Sequence, residues 1–172
     1  WPAPPAPGLH WRRGQHALYR SIMSEQLYNT RILRLAAAIP LDERLETPQA
    51  SVRKVSPICG SRVTADVTLD AEGQVSQFGQ EVRACALGQA SASLLGSRVM
   101  GLNAAELRAA ADALRGFLAE GTPLPHPLTE LEIFGPAQPH KARHPSILLA
   151  WEAAAEAAAA AQAESELSAP VA

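Results

Sequence analysis

The sequence has little that could tie the chain together covalently. Two cysteines in 172 residues are too few for a disulfide framework, which points to a reducing, cytoplasmic setting. No apolar run reaches the roughly 18 residues that a membrane-spanning helix needs, so a transmembrane helix is excluded. Positive charge is not in excess either. The formal net charge of −2 argues against a nucleic-acid partner. No glycine-rich phosphate loop, Gly-x-Ser-x-Gly elbow or His-Glu-x-x-His pair is present, and no solenoid repeat. General acid–base or nucleophilic catalysis has no supporting constellation, and the expectation is a protein that is not an enzyme.

What is abundant is alanine. Hydrophobic residues make up 47% of the chain, but 34 of them are alanines and aromatics reach only 5%. The larger apolar side chains suffice for one modest core, hence one domain. That domain is expected over residues 23–163. Residues 1–22, with four prolines in the first seven positions, read as a disordered extension or a mis-assigned start upstream of Met23. The alanine- and glutamate-rich end reads as a solvated helix that frays beyond about Ala163, with 164–172 a flexible tail. Many of the alanines are therefore expected outside the core.

Between these ends, helical spacing of Leu27, Tyr28, Ile32, Leu35 and Ile39 predicts a helix with Ser24 as N-cap, stopped by Pro40. Residues 41–49 form a polar connection. Val52 and Val55 mark a short strand. Over 61–70, Val63, Ala65, Val67 and Leu69 alternate with polar residues, as in a half-buried strand. A turn at Asp70-Ala-Glu-Gly73 leads into a return strand over 75–83, with a bulge expected near Gly79. Helices follow over 86–100 and from the capping box of Asn103 and Glu106 to Gly121. After three prolines and a short apolar piece at 131–134, Pro145 opens the last helix. This order implies an α+β fold: a small antiparallel sheet of about three strands packed against several helices.

The chemistry concentrates in the two cysteines. Cys59 lies in Pro-Ile-Cys-Gly-Ser, a turn just before a strand. Cys85 lies where a strand gives way to a helix, whose free amides and partial positive charge favour a thiolate. On spacing alone both also fit as small buried hydrophobes. His140 and His144 flank Lys141-Ala-Arg143 before the last helix. Either one could complete a metal site, or both could be plain surface histidines. His126, His10 and His16 carry no functional weight.

Taken in order, these motifs resemble the U-type iron–sulfur cluster assembly scaffold family, the NifU N-terminal-like proteins, from Leu27 to about Trp151. Members show a Cys-Gly-Asp turn before a strand, a second cysteine heading a helix rich in Ala and Ser, and a third opening the final helix. Cys59-Gly60-Ser61 matches the first and Cys85-Ala-Leu-Gly-Gln-Ala-Ser the second. Lys141-Ala-Arg-His-Pro-Ser146 falls where the third belongs. Ser61 stands in place of the aspartate that helps keep a cluster labile, and Ser146 in place of the third cysteine. Neutral serine is a poor ligand for a soft metal.

The resemblance implies a scaffold or carrier that binds iron, a nascent Fe-S cluster such as [2Fe-2S], or zinc through Cys59 and Cys85, with His144 as the nearest replacement donor and His140 a weaker one. It implies as partners a cysteine desulfurase and the proteins that receive the cluster, in a monomer or weak dimer. Two other roles fit the same resemblance. One is a zinc-binding sulfur acceptor, with Cys85 in the better electrostatic setting. The other is a metal-free interaction module docking through Lys141-Ala-Arg143 and the small-residue helix from Ala86.

Overall fold

Asn29 is the first residue whose conformation explains a helix. It is extended, and its side chain accepts from the Ile32 N–H at 3.0 Å, so it caps α1 (Thr30–Ala37). The helix predicted as one run is broken in two here: residues 25–27 are helical, Tyr28 and Asn29 leave the helix, and α1 begins anew at Thr30. The computed structural model describes residues 25–168. The expected cap Ser24 and the expected extension over 1–22 therefore lie outside the described residues.

Three strands follow: β1 (Ala50–Val55), β2 (Arg62–Leu69) and β3 (Val75–Arg83). They form one antiparallel sheet in the order β1-β2-β3. The register shift falls between Thr68 and Leu69, opposite Ser76, and not at Gly79. The extra residue next to the Asp70–Gly73 turn moves Val75 out of phase with Phe78, Gln80 and Val82. Gly79 pairs regularly with Asp66, and its need for glycine is one of space. A Cβ there would lie 2.3 Å from the Glu43 carbonyl oxygen.

That close approach belongs to the polar connection over 41–49, which covers the outer face of the sheet. Asp66 is fully buried there. It accepts from Arg44 Nε at 2.6 Å, Arg44 Nη2 at 3.0 Å and the Leu45 amide at 3.0 Å. Burial pushes the Asp66 carboxyl up, but the Arg44 guanidinium and the Ser51 and Leu45 donors outweigh it and hold it below the usual carboxylate range. A depressed carboxyl stabilises the fold above its unfolded-state pKa, and that contribution disappears as pH falls through the folded value. Asp66→Asn is therefore expected to lower stability at neutral pH and to flatten the loss of stability below about pH 4. Thermal melts of both proteins across pH check this; parallel curves would count against it.

The helices cover the inner face. α2 (Ala86–Gly96) and α3 (Ala104–Glu120) precede two short 3-10 segments, Leu128–Ala137 and Lys141–Arg143, and α4 (His144–Ser168) closes the described chain. The reciprocal box of Asn103 and Glu106 opens α3, and Gly121 at φ 71° ends it. α2 stops at Gly96, short of the expected 100.

The last helix departs most from its sequence reading. α4 packs against β1, β2, α2 and α3. Ala153, Ala154, Ala155, Ala157, Ala158 and Ala161 are buried. The alanines are therefore core residues, and their lack of bulk lets strands and helices approach the same helix from several sides. Lys54 on β1 reaches Glu156 at 2.6 Å and Glu152 at 3.5 Å on its surface. Exposure begins near Gln162, and the helix itself continues to Ser168.

Candidate metal and sulfur site

The turn between β1 and β2 is closed by its own backbone. The Ser56 amide donates to Ser61 O at 2.7 Å, and the Gly60 amide to Ser56 O at 3.1 Å. Gly60 takes φ 68°, a left-handed conformation that glycine adopts without steric cost. This tight turn leaves Cys59 exposed, with its sulfur 3.3 Å from Ser56 Oγ and 3.1 Å from Ser61 Oγ.

Cys85 is the residue that caps α2, yet its side chain makes no hydrogen bond to the free amides of that helix. Its sulfur instead meets Ser146 Oγ at 3.2 Å. Ser146 comes from the first turn of α4, which can approach so closely because Gly88 has no Cβ. One there would lie 2.7 Å from Ser146 Oγ. Ser146 Oγ in turn lies 3.2 Å from Ser61 Oγ, and both serines are buried. Cys59, Ser61, Ser146 and Cys85 thus form an unbroken chain of polar contacts. Cys59, Ser61 and Cys85 line a shallow depression of about 560 Å³ together with Arg83, Gln89 and Arg143.

Burial pushes the Cys59 thiol up, but the Ser56 and Ser61 hydroxyls, the Ser61 amide and the Ser146 hydroxyl stabilise the thiolate and bring it down to about 7. Cys59 is thus eased toward ionisation by the hydroxyls that hold it. The alkylation rate of Cys59 is expected to rise with pH about a midpoint near 7. Ser61→Ala should move that midpoint upward. Rates followed by mass spectrometry of the Cys59 peptide check this, and an unshifted midpoint would remove Ser61 from the account.

The histidines are not brought to the thiols. His144 is buried, with Nε2 at 2.9 Å from Ala137 O and 3.1 Å from Gln138 O, so it fastens the end of the first 3-10 segment. His140 does not join the cysteines either: among the described residues no three of His, Cys, Asp and Glu gather as a metal site. Where an imidazole was expected from His144, the thiols meet the hydroxyls of Ser56, Ser61 and Ser146. Ser56 escaped the sequence reading, although a serine three residues before a Cys-Gly turn is a signal for side-chain-to-backbone turn chemistry. A second cavity of about 560 Å³, walled by Leu102, Ala110, Pro125 and Leu128, has no thiol. No helix among the described residues is long and apolar enough to cross a membrane.

No family model matches the chain, and no curated protein matches it. Among solved structures it is similar to the N-terminal part of a nitrogen-fixing NifU-like protein from Brucella abortus. The identity is 39%, over 82% of this chain and 98% of that one, with a TM-score of 0.77. It is also similar in fold to a protein from Fervidobacterium islandicum AW-1 described as a candidate iron–sulfur cluster assembly scaffold for the SUF system. There the identity is 18%, over 78% of this chain and 98% of that one, with a TM-score of 0.71. The α+β fold, the ordered cysteine turns and the likeness to the Brucella protein agree: the chain belongs to the U-type scaffold family, as a NifU-like N-terminal protein.

Proposed function

We propose that this protein serves iron–sulfur cluster assembly, receiving sulfur and iron at Cys59 and Cys85 and passing them on, as a scaffold or carrier and not as a turnover enzyme. The observation that carries this reading is the convergence of both thiols on one open depression, at the positions where the family's motifs fall. Arg83 and Arg143 line the same depression and offer positive charge to thiolates or bound sulfide. The proposed partners are a cysteine desulfurase as sulfur source and recipient proteins for the product, in a reducing compartment such as the cytoplasm.

Two thiolates are half of the four that commonly hold a [2Fe-2S] cluster or a structural zinc. The remaining positions need ligands from outside this site, for example small thiols or a partner chain. Cargo held this way is easier to release than cargo held by a full set of protein ligands. Anaerobic reconstitution with iron and sulfide, followed by absorption spectra and metal analysis, tests the proposal. The wild type is expected to take up iron and the Cys59→Ala/Cys85→Ala variant to take up none. Equal, negligible uptake by both would end the assembly reading.

A further inference from the structure

The two thiols are near each other, but they are not equivalent. Cys59 is exposed on its turn, whereas Cys85 is half-buried behind it. The β2–β3 ladder pairs Val63 with Val82 and Arg62 with Arg83. Beyond that pair the chain leaves the ladder, and Ser146 Oγ, 3.2 Å from Cys85 Sγ, also acts on the Cys59 thiolate, so both thiols meet at one hydroxyl. Among the described residues, the Ser61 and Ser146 hydroxyls link the two sulfurs. A Cβ on Gly60 would meet nothing within 4 Å, so the turn that carries Cys59 has room to shift.

We infer that Cys85 resolves a persulfide formed on Cys59, releasing hydrosulfide and leaving a Cys59–Cys85 disulfide. The inference rests on the proposed role in receiving sulfur. An incoming sulfur donor meets Cys59 first, because that thiol is the exposed one. The Cys85 thiolate then attacks Cys59 Sγ, and the bond between Cys59 Sγ and the outer sulfur breaks. Its electron pair leaves with the outer sulfur as hydrosulfide, which takes its proton from the Cys85 thiol or from the persulfide. The outer sulfur gains one electron in passing to the sulfide level, Cys85 Sγ loses one in becoming a disulfide sulfur and Cys59 Sγ is unchanged, so this step needs no outside reductant. A small dithiol returns the disulfide to two thiols before the next round. Where the family's third thiol would compete, Ser146 supplies only a hydroxyl, which leaves Cys85 as the one resolving thiol at the site.

The test treats the fully reduced chain, without oxygen or metal, with glutathione persulfide. Released sulfide, intact mass and a non-reducing peptide map are recorded. The expected result is about one hydrosulfide per chain, a mass lower by two hydrogens and a peptide linking Cys59 to Cys85. Cys85→Ser is expected to keep the added sulfur on Cys59 and to lose hydrosulfide release. A wild type that retains its persulfide, or that moves the sulfur to Cys85 without a disulfide, overturns the inference. The wild-type map decides this even if the variant folds poorly. Iron uptake reports separately: a chain that loads iron yet keeps its persulfide overturns only the resolving step, and one that forms the disulfide but takes up no iron overturns only the assembly reading.

Discussion

Replacing Ser146 with cysteine is expected to raise the zinc affinity of the reduced protein by more than the roughly 10–100-fold that changing an outer partner of a metal site costs. Ser146 Oγ lies 3.2 Å from Cys85 Sγ and 3.2 Å from Ser61 Oγ, so a sulfur introduced there starts beside one thiol and one hydroxyl away from the other. Tetrahedral zinc needs its sulfurs about 2.3 Å from one centre, which brings ligands within about 4 Å of each other. The cluster approaches that spacing already. A thiolate is also a far better donor to zinc than a neutral hydroxyl. At Gly88, α2 presents no Cβ toward residue 146, so no side chain there stands against the sulfur. Competition against a chromophoric zinc chelator measures the change. An affinity equal to that of the wild type would show that the two native thiols and residue 146 do not share one metal centre.

Trp151→Ala is expected to be the most damaging substitution in the core. The Trp151 side chain is fully buried, and its Nε1–H donates to Ser91 Oγ at 3.2 Å. Ser91 then donates to Ile147 O at 2.6 Å, which ties α2 to α4 just beyond the thiol site. Removing a buried tryptophan costs about 3–5 kcal/mol through lost burial and the cavity left behind. For a domain of this size that corresponds to a fall in Tm of about 10 °C. The neighbours cannot fill the space, because the following buried positions on the same helix are alanines with no longer side chain to swing in. Leu167→Ala, at an 87% exposed position, serves as control and should change stability by no more than about 0.5 kcal/mol. Urea unfolding of both variants checks the pair. A loss below about 1 kcal/mol for Trp151→Ala would mean that α4 is not the packing centre.

Different residues carried different amounts of this in their sequence. The Asn103–Glu106 box and the alternation over Val63, Ala65 and Val67 are local signals, and both elements stand where they were expected. The bulge was legible as a break of period but not in its place. Val75 is out of step with Phe78 and Val82, and the pairing puts the extra residue at Ser76, before Phe78 and not at Gly79. The break in the N-terminal helix was missed because apolar spacing continues through Tyr28 while Asn29 withdraws the backbone from the helix.

By itself the sequence determined the element types, the thiol count and the two serine departures, since each depends on residue identity or on near neighbours along the chain. The tertiary structure alone decided what those features face. It turned the alanine-rich helix from a solvated end into the packing centre, because burial depends on what packs from the other side. It set Ser146 between the thiols and turned His144 toward the backbone of the preceding segment, although the two are only two residues apart. Spacing in a loop before a helix does not define side-chain direction, whereas the first turn of a packed helix does. That direction gives the candidate site two thiols, the hydroxyls of Ser56, Ser61 and Ser146, and, among the described residues, no imidazole.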